Sequence, residues 1–343
     1  MGVPLGARSR DTAVVTDPLL GKLIDRRYRV LSLLGRGAMC AVYRADDSSG
    51  GPPVAVKVLP ARLAAQPELA ARFKREATTG RRVAHPNVVA ISGDGALDDG
   101  SLYLVMELLH GRSLGAILDE GRLPVARALA IARQLLDGLE ASHALGIAHR
   151  DIKPENIQVV GHGELETIKL VDFGLASNDR AAVKLTAVGV AFGTPAYISP
   201  EMAMGLPVDL RADLYSVGVV LFQMVTGRLP FPMSETKALL LAHVNDPPPR
   251  PRAIAPDAQI SRELEAIILR ALAKLPEERF ASAAELRSAL DTVGPAPAPR
   301  SRLPLWLGLS LALILSLAGT WWWTHRPATP PNAPAQTRQR ARP

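Results

Sequence analysis

The chain has 343 residues, of which 48% are hydrophobic and 4% aromatic, so it can hold one large domain or two ordinary ones. Its formal net charge of +7 comes from residues 1–30 and 300–343, whereas residues 31–299 carry a slight negative charge. A body without basic excess argues against a nucleic acid groove, and a single cysteine excludes an intramolecular disulfide.

The predicted elements, taken in chain order, form a block of strands followed by a block of helices. Residues 1–27 show no sustained period and are predicted to be a flexible arm. Short β-like runs separated by turn residues fill residues 28–59, and two more strands follow a helix that begins at Pro67. Beyond residue 112 the periodicity is helical, and it includes a buried helix that ends at Gly227. Strands and helices in separate blocks predict an α+β protein with two lobes.

The C-terminal part is predicted to cross a membrane once. A Pro-rich linker, residues 294–302, precedes LPLWLGLSLALILSLAGTWWW, residues 303–323, which contains no charged side chain. As a helix this stretch would be about 31 Å long, close to the ~30 Å thickness of a bilayer core. The three tryptophans at its end stand where interfacial aromatic residues are common. The alternative, a buried helix of a soluble domain, is disfavoured because only the linker and a Pro/Arg-rich tail, residues 324–343, flank it.

A glycine-rich stretch, GRGAMCAV at residues 35–42, lies between two apolar runs of the strand block. Two glycines one residue apart begin a loop that can cradle phosphates, although alone the pattern is more often a hairpin turn. Cys40 stands where a third glycine would complete the pattern. Two interpretations of Cys40 stay open. The favoured one is a small side chain that only fills space in the loop, and the other is a redox-sensitive thiol close to the bound phosphates.

Ionisable residues concentrate in the sequence AHRDIKPEN, directly after a long apolar-periodic helix. Such a cluster beside a hydrophobic core is costly unless a site requires it. Asp151, Asn156 and Asp172, the last in a DFG sequence, offer a base and the oxygen ligands of Mg-dependent phosphoryl transfer. Upstream, VAVK places Lys57 at the end of a strand, and Glu76 on the predicted helix is an available partner for it.

The chain resembles a protein kinase, specifically the eukaryotic-type serine/threonine kinases of bacteria. The resemblance is carried by five motifs in order: the glycine loop, VAVK, HRD…N, DFG and SPE, the last a variant of APE. The resemblance covers residues 28–293. It implies a bilobal protein kinase fold, with a β-rich N-lobe and a helical C-lobe. It also implies transfer of the γ-phosphate of ATP to serine and threonine hydroxyls of protein substrates, with Mg²⁺, or Mn²⁺ in its place, as the metal.

The resemblance assigns the catalytic and nucleotide-binding residues. Asp151 is the catalytic base, and Lys153 accompanies it as in serine/threonine kinases. Lys57 contacts the α- and β-phosphates while paired with Glu76, and the metal ligands are Asn156 and Asp172. The nucleotide-binding residues lie in the glycine loop, on the strand of Lys57 and in the hinge, where Met106 is the gatekeeper: Leu34, Gly35, Arg36, Gly37, Ala38, Met39, Cys40, Ala41, Val42, Ala55, Lys57, Met106, Glu107 and Leu109.

The resemblance also assigns structural and regulatory residues. Asp213 braces the catalytic loop, and Glu201 and Arg279 form a buried ion pair in the lower lobe. Arg150, beside the base, indicates that a phosphorylated residue of the following loop is bound by a basic pocket. Thr186 is the candidate for that residue, and autophosphorylation is the expected source of its phosphate.

The expected location follows from the need for ATP. The kinase domain is expected in the cytoplasm, anchored by a single pass in the inner or plasma membrane, with residues 324–343 on the outside. Protein substrates are the expected partners, a homodimer is left open, and no nucleic acid is expected. A membrane-anchored pseudokinase scaffold is disfavoured because Lys57, Asp151 and Asp172 are all present. A small-molecule kinase of the same fold is disfavoured by Lys153 together with the GTPAY sequence.

Overall fold

An antiparallel sheet of six strands forms the first lobe of a computed structural model that describes residues 17–173, 195–294 and 316–326. In space the strands follow the order β1-β2-β3-β4-β6-β5. Buried and exposed residues alternate along β3, whereas every residue of β4 is buried, as expected for a central strand. The strands are β1 Leu23–Ile24, β2 Tyr28–Arg36, β3 Ala41–Asp47, β4 Val54–Leu59, β5 Ile91–Ala96 and β6 Leu102–Glu107.

Two helices connect β4 to β5: α1, Ala61–Ala64, and α2, Pro67–Arg82. Proline in the first turn of α2 is tolerated because that turn needs no amide donor there. The buried residues of α2 recur every three or four positions, which turns one face toward the sheet. Gly80 lies on that face, and a Cβ at this position would meet the end of the Ile91 side chain of β5, which would have to shift.

The second lobe is mainly helical and contains the largest apolar cluster of the described residues, around α4 and α6. Almost every residue of α6 is buried, and the helix ends at Gly227, whose φ of 74° is the left-handed value that glycine adopts most easily. The helices are α3 Leu114–Leu118, α4 Val125–His143, α5 Pro200–Ala203, α6 Arg211–Thr226, α7 Thr236–Asn245, α8 Pro251–Ile254, α9 Arg262–Ala271 and α10 Ala283–Asp291.

A small three-stranded antiparallel sheet accompanies these helices: β7 Gly111–Ser113, β8 Ile157–Val160 and β9 Thr167–Leu170. A short 3-10 turn, Pro154–Asn156, leads into β8, so the ionisable cluster found in the sequence lies between α4 and β8. The prediction of an α+β protein with a β-rich first lobe and a helical second lobe is confirmed.

The predicted flexible arm differs from the structure over residues 17–27. Leu23 and Ile24 pair with β2, and the side chain of Ile24 is 2% exposed in the first-lobe core. Leu19 packs against the same apolar cluster. Two paired residues are too short a run for periodicity to show, which is why the sequence pattern missed this segment.

Residues 316–324 are helical, in the unit formed by residues 297–343. The side chains of Leu317 and of the three tryptophans are exposed there. Within the described ranges, no helix has the length and apolar character needed to span a bilayer. Most of the predicted membrane stretch, residues 303–315, lies outside the described residues.

Candidate active site

Lys57 joins both lobes through two carboxylates. Its Nζ donates to Glu76 Oε1 at 2.7 Å and Oε2 at 3.0 Å, and to Asp172 Oδ1 at 2.8 Å. β4 carries the lysine, the buried face of α2 carries Glu76, and Asp172 follows β9 of the second lobe. The lysine and the glutamate are only 6% and 2% exposed. The structure therefore brings together three predicted site residues that are up to 115 positions apart in the chain.

Burial and charge act against each other in this trio. Burial disfavours the Lys57 ammonium, but the Asp172 and Glu76 charges outweigh burial and hold the pKa of Lys57 above its ordinary value. Burial would raise the pKa of Asp172, yet the contact with Lys57 holds that pKa below its usual range. Burial raises the pKa of Glu76, and Lys57 offsets only part of the rise. Lys57 therefore favours the ionised form of Asp172, whereas burial dominates at Glu76.

The glycine loop is the hairpin between β2 and β3. Gly37 N–H donates to the carbonyl of Cys40 at 2.8 Å, and Val42 lies opposite Lys57 in the β3–β4 register. Residues 34–38 are exposed, whereas Met39 and Cys40 pack against the cluster of Phe73 and Leu59. The loop therefore turns back over the buried lysine.

Cys40 is half-buried beside the same charged trio. Burial raises the pKa of its thiol to about 11, although the Lys57 charge acts in the opposite direction. A thiol with this pKa is almost entirely protonated near neutral pH, and the thiolate is the reactive form. This favours the interpretation of Cys40 as a small filler.

The predicted adenine-contacting residues border the trio on β4 and at the end of β6. Ala55 pairs with Met106 across the β4–β6 register, and Leu109 is half-buried just beyond β6. The carboxylate of Glu107 accepts from Ala90 N–H at 2.8 Å and from Lys169 Nζ at 2.7 Å. Lys169 lies on β9, so this ion pair ties the segment between the lobes to the strand that leads to Asp172.

Asp151 lies in a polar cluster that follows α4. Lys153 Nζ donates to Asp151 Oδ2 at 2.8 Å, and Asn156 Nδ2 donates to the same oxygen at 2.9 Å and to the Asp151 carbonyl at 2.8 Å. The carboxylate side chain is 23% exposed and that of Lys153 is 16% exposed. A partly accessible carboxylate held by two donors is suited to accept a proton from a hydroxyl.

Asp213, at the start of α6, holds the backbone of this catalytic loop. Its two carboxylate oxygens accept from the N–H groups of His149 at 2.8 Å and Arg150 at 2.7 Å. Arg150 has a φ of 63°, a left-handed conformation that costs a non-glycine residue free energy. Burial alone would raise the pKa of Asp213, but His143 Nε2, which donates to it at 2.8 Å, helps hold the pKa below its ordinary value.

His149 connects the catalytic loop to the DFG segment. Its ring is fully buried, lies edge-to-face with Phe173 at 4.6 Å between centroids, and Nε2 donates to the Val171 carbonyl at 2.9 Å. Asp172 follows with a φ of 64°. Sequence reasoning missed His143 and Lys169, because the role of each comes from a contact with a side chain on another element. Their ionisable side chains were the only signal in the sequence.

Glu201 and Arg279 form a buried ion pair away from the nucleotide. Arg279 Nη1 and Nη2 donate to the two Glu201 oxygens at 2.8 and 2.7 Å. Nε and the Nη atoms also donate to three carbonyls, those of Ala273, Arg211 and Lys274. Five N–H groups thus have five acceptors, which matches the full donor capacity of a guanidinium. Burial would raise the pKa of Glu201, but Arg279 holds it below its usual range.

The proposed regulatory residue Thr186 and the glycine of DFG, Gly174, lie outside the described residues. Arg150 is described. Burial lowers the pKa of its guanidinium, Asp213 acts against that, and the charge of Arg75 on α2 lowers the pKa further. Two arginines from the two lobes are therefore close enough to repel one another.

The chain is similar to known proteins over most of its length. A family model described as protein kinase domain matches residues 28–290. Serine/threonine-protein kinase pkn3 of Myxococcus xanthus is 41% identical over 284 residues, 81% of this chain and 52% of that protein. Serine/threonine-protein kinase Pkn1 of the same species is 44% identical over 275 residues, 80% of this chain and 39% of that protein.

Similarity extends to solved structures. The crystal structure of the Mycobacterium tuberculosis PknI kinase domain matches with a TM-score of 0.63 and 29% sequence identity, covering 80% of this chain and 98% of that one. The chain spans about half or less of the length of the two curated relatives.

Proposed function

The chain belongs to the protein kinase family, and we propose that it is a serine/threonine kinase that transfers the γ-phosphate of ATP to hydroxyls of protein substrates. One observation carries the proposal. Lys57 Nζ lies within 3.0 Å of carboxylate oxygens of both Glu76 and Asp172, which assembles a strand, a helix and the DFG segment around one ammonium. The neighbouring Asp151–Lys153–Asn156 cluster then offers a base with two donors beside it.

Three residues of the chain have separate roles in the transfer. Asp151 accepts the proton of the attacking hydroxyl. Lys153 Nζ, already bonded to Asp151, supplies positive charge where the transferred phosphoryl group carries negative charge. Lys57 positions the phosphates, while Glu76 keeps the lysine on the cleft side of β4.

The residues present fit a magnesium ion bound together with ATP. Mg²⁺ in such sites takes one or two carboxylates plus phosphate oxygens rather than a complete protein cage. Asp172, kept ionised by Lys57, and the amide oxygen of Asn156, whose nitrogen is engaged by Asp151, are the oxygen donors that would hold it. When bound, the ion neutralises charge on the phosphates.

Labelled ATP separates this function from its rivals. The full chain is incubated with ATP labelled at the γ-phosphate and either a generic protein or a panel of small hydroxyl compounds. We expect label on the protein. Label on a small molecule alone would indicate a small-molecule kinase. Nucleotide binding without transfer to any acceptor would indicate a pseudokinase scaffold.

We further propose that phosphorylation of Thr186 activates the enzyme by placing a phosphate against Arg150 and Arg75. Arg150 belongs to the catalytic loop and Arg75 to α2, and the charge of Arg75 acts on Arg150, so an anion would be favoured beside them. Thr186→Ala is expected to lower the transfer rate several-fold and to remove a major autophosphorylation site, as measured by phosphopeptide mapping. Ser177→Ala, in the same segment, is the matched control and should keep both the wild-type transfer rate and the major autophosphorylation site. If the phosphopeptides and the transfer rate of Thr186→Ala equal those of the wild type, Thr186 is not the activating phosphorylation site.

A membrane anchor at residues 303–323 is the third part of the proposal, with the kinase domain, residues 28–293, in the cytoplasm. Its support is the uncharged stretch of 21 residues between a Pro-rich linker and a Pro/Arg-rich tail. We expect the full chain to stay in the membrane fraction after alkaline carbonate extraction, and a chain ending at residue 302 to be released. Release of the full chain would contradict the anchor. Cross-linking in the same membranes tests whether two copies pair.

A further inference from the structure

An acidic residue ahead of the kinase family match contacts the glycine loop. Asp17 Oδ2 accepts from Arg36 Nη2 at 2.7 Å and from the hydroxyl of Tyr43 at 2.9 Å. Arg36 is the residue between the two glycines of the loop, and its side chain is 61% exposed, against 11% for Asp17. The family match begins at residue 28, so Asp17 lies outside it, whereas Arg36 and Tyr43 lie inside it.

The position of Asp17 is fixed by the folded segment that follows it. Its carboxylate accepts from Leu19 N–H at 3.1 Å and its carbonyl from Leu20 N–H at 3.1 Å, which closes a tight turn. Gly21 N–H then donates to the Val30 carbonyl at 2.9 Å, which fastens the turn to β2. Tyr43 is 3% exposed, so its hydroxyl holds the carboxylate from below. Asp17 is thus an acceptor held in place by four hydrogen bonds of its own turn and of Tyr43, at the base of the glycine loop.

The exposed part of the glycine loop, residues 34–38, is held by its pairing with β3 and by the Gly37 N–H bond to the Cys40 carbonyl, while Met39 and Cys40 pack inward. Arg36 is the only charged residue between Leu34 and Val42. A Cβ at Gly35 would meet no atom within 4 Å, and at Gly37 it would meet only the Cys40 carbonyl at 3.6 Å. The β2–β3 register is also irregular between Leu33 and Gly35. An open backbone of this kind loses conformational freedom when it closes over phosphates.

We propose that Asp17 is a positioning residue that restrains the glycine loop through Arg36 and so strengthens ATP binding; this rests on the proposed kinase function. The ion pair orders the loop before the nucleotide arrives, which lowers the entropic cost of binding. Because the pair is largely exposed on the arginine side, its contribution is modest. We expect Asp17→Asn to raise the KM for MgATP about two- to fivefold with kcat unchanged.

The chain offers a matched control. Asp47 accepts from Arg27 Nη2, also at 2.7 Å, at the opposite end of the same β2–β3 hairpin. Asp47→Asn disturbs an Arg–Asp pair that is distant from the glycine loop and has two Arg27 donors and Ser49 as a further donor, so it is expected to leave the KM for MgATP unchanged. Arg36→Gln should reproduce the effect of Asp17→Asn, and combining the two should add nothing further, as for residues that act through one contact.

The experiment measures KM and kcat for MgATP and, separately, calorimetric Kd for MgADP, on the full chain and each variant. A rise in KM and Kd for Asp17→Asn and Arg36→Gln, absent in Asp47→Asn, would support the positioning role. An unchanged or tightened Kd in both loop variants, with the wild type binding normally, would overturn this inference alone. Wild-type protein that binds no MgADP would overturn the proposed function and this inference with it.

Discussion

Asp151→Asn is expected to lower the rate of phosphate transfer by about 10²- to 10⁴-fold while leaving nucleotide binding nearly unchanged. The amide has nearly the shape of the carboxylate and can still accept from Lys153 Nζ and Asn156 Nδ2, which lie at 2.8 and 2.9 Å. It cannot take a proton from the attacking hydroxyl. Transfer rate with labelled ATP and calorimetric Kd for MgADP are the two measurements.

The control for Asp151→Asn is Asp257→Asn, which removes an exposed carboxylate that accepts from Arg122 on the surface. Its transfer rate should equal that of the wild type. A wild-type rate in Asp151→Asn would exclude this residue as the base. Loss of MgADP binding together with transfer would show instead that the substitution disturbs the folded site.

Arg279→Met is expected to destabilise the protein by about 3–5 kcal/mol. The substitution leaves the Glu201 carboxylate, 5% exposed, without its cation, and three backbone carbonyls without the donors that they have now. A buried charge without a partner is far more costly than a buried pair. Thermal unfolding of the full chain should show a Tm lowered on the order of 10 °C.

Two comparisons isolate the cause. Arg122→Gln breaks an exposed Arg–Asp pair of the same 2.7 Å length and should leave Tm nearly unchanged. Glu201→Leu combined with Arg279→Met removes both charges and should be less destabilising than Arg279→Met alone. If the double variant lowers Tm as much as Arg279→Met or more, the destabilisation comes from lost packing and not from the unpaired Glu201 charge.

The sequence was sufficient for the parts of the site that short motifs carry. Lys57 lies on an apolar strand and Glu76 on a periodic helix, so the contact between them could be predicted from the order of the motifs. The strand continues for two residues past Lys57, so the sequence placed the strand end too early. The structure adds that Lys57 also binds Asp172, which makes one ammonium the junction of both lobes.

Contacts between side chains of distant elements were beyond sequence reasoning. Glu107 and Lys169 are 62 residues apart, and only the register of β6 and the small sheet brings them to 2.7 Å. His143 and Asp213 meet because α4 and α6 pack together, which no local pattern encodes. The sequence pattern predicts a flexible arm at Asp17, because its segment folds through one tight turn and two paired residues, below the length at which periodicity is visible.

The most direct test of a shared magnesium, nucleotide and hydroxyl site is phosphoamino-acid analysis. The wild-type full chain is incubated with a generic protein and γ-labelled ATP, with Mg²⁺ or with a chelator, and the labelled protein is hydrolysed in acid. We expect label in phosphoserine and phosphothreonine, present with Mg²⁺ and absent with the chelator. Label that stays in ATP, appears only as inorganic phosphate, or is unaffected by the chelator would contradict the assignment of Asp151, Asn156 and Asp172.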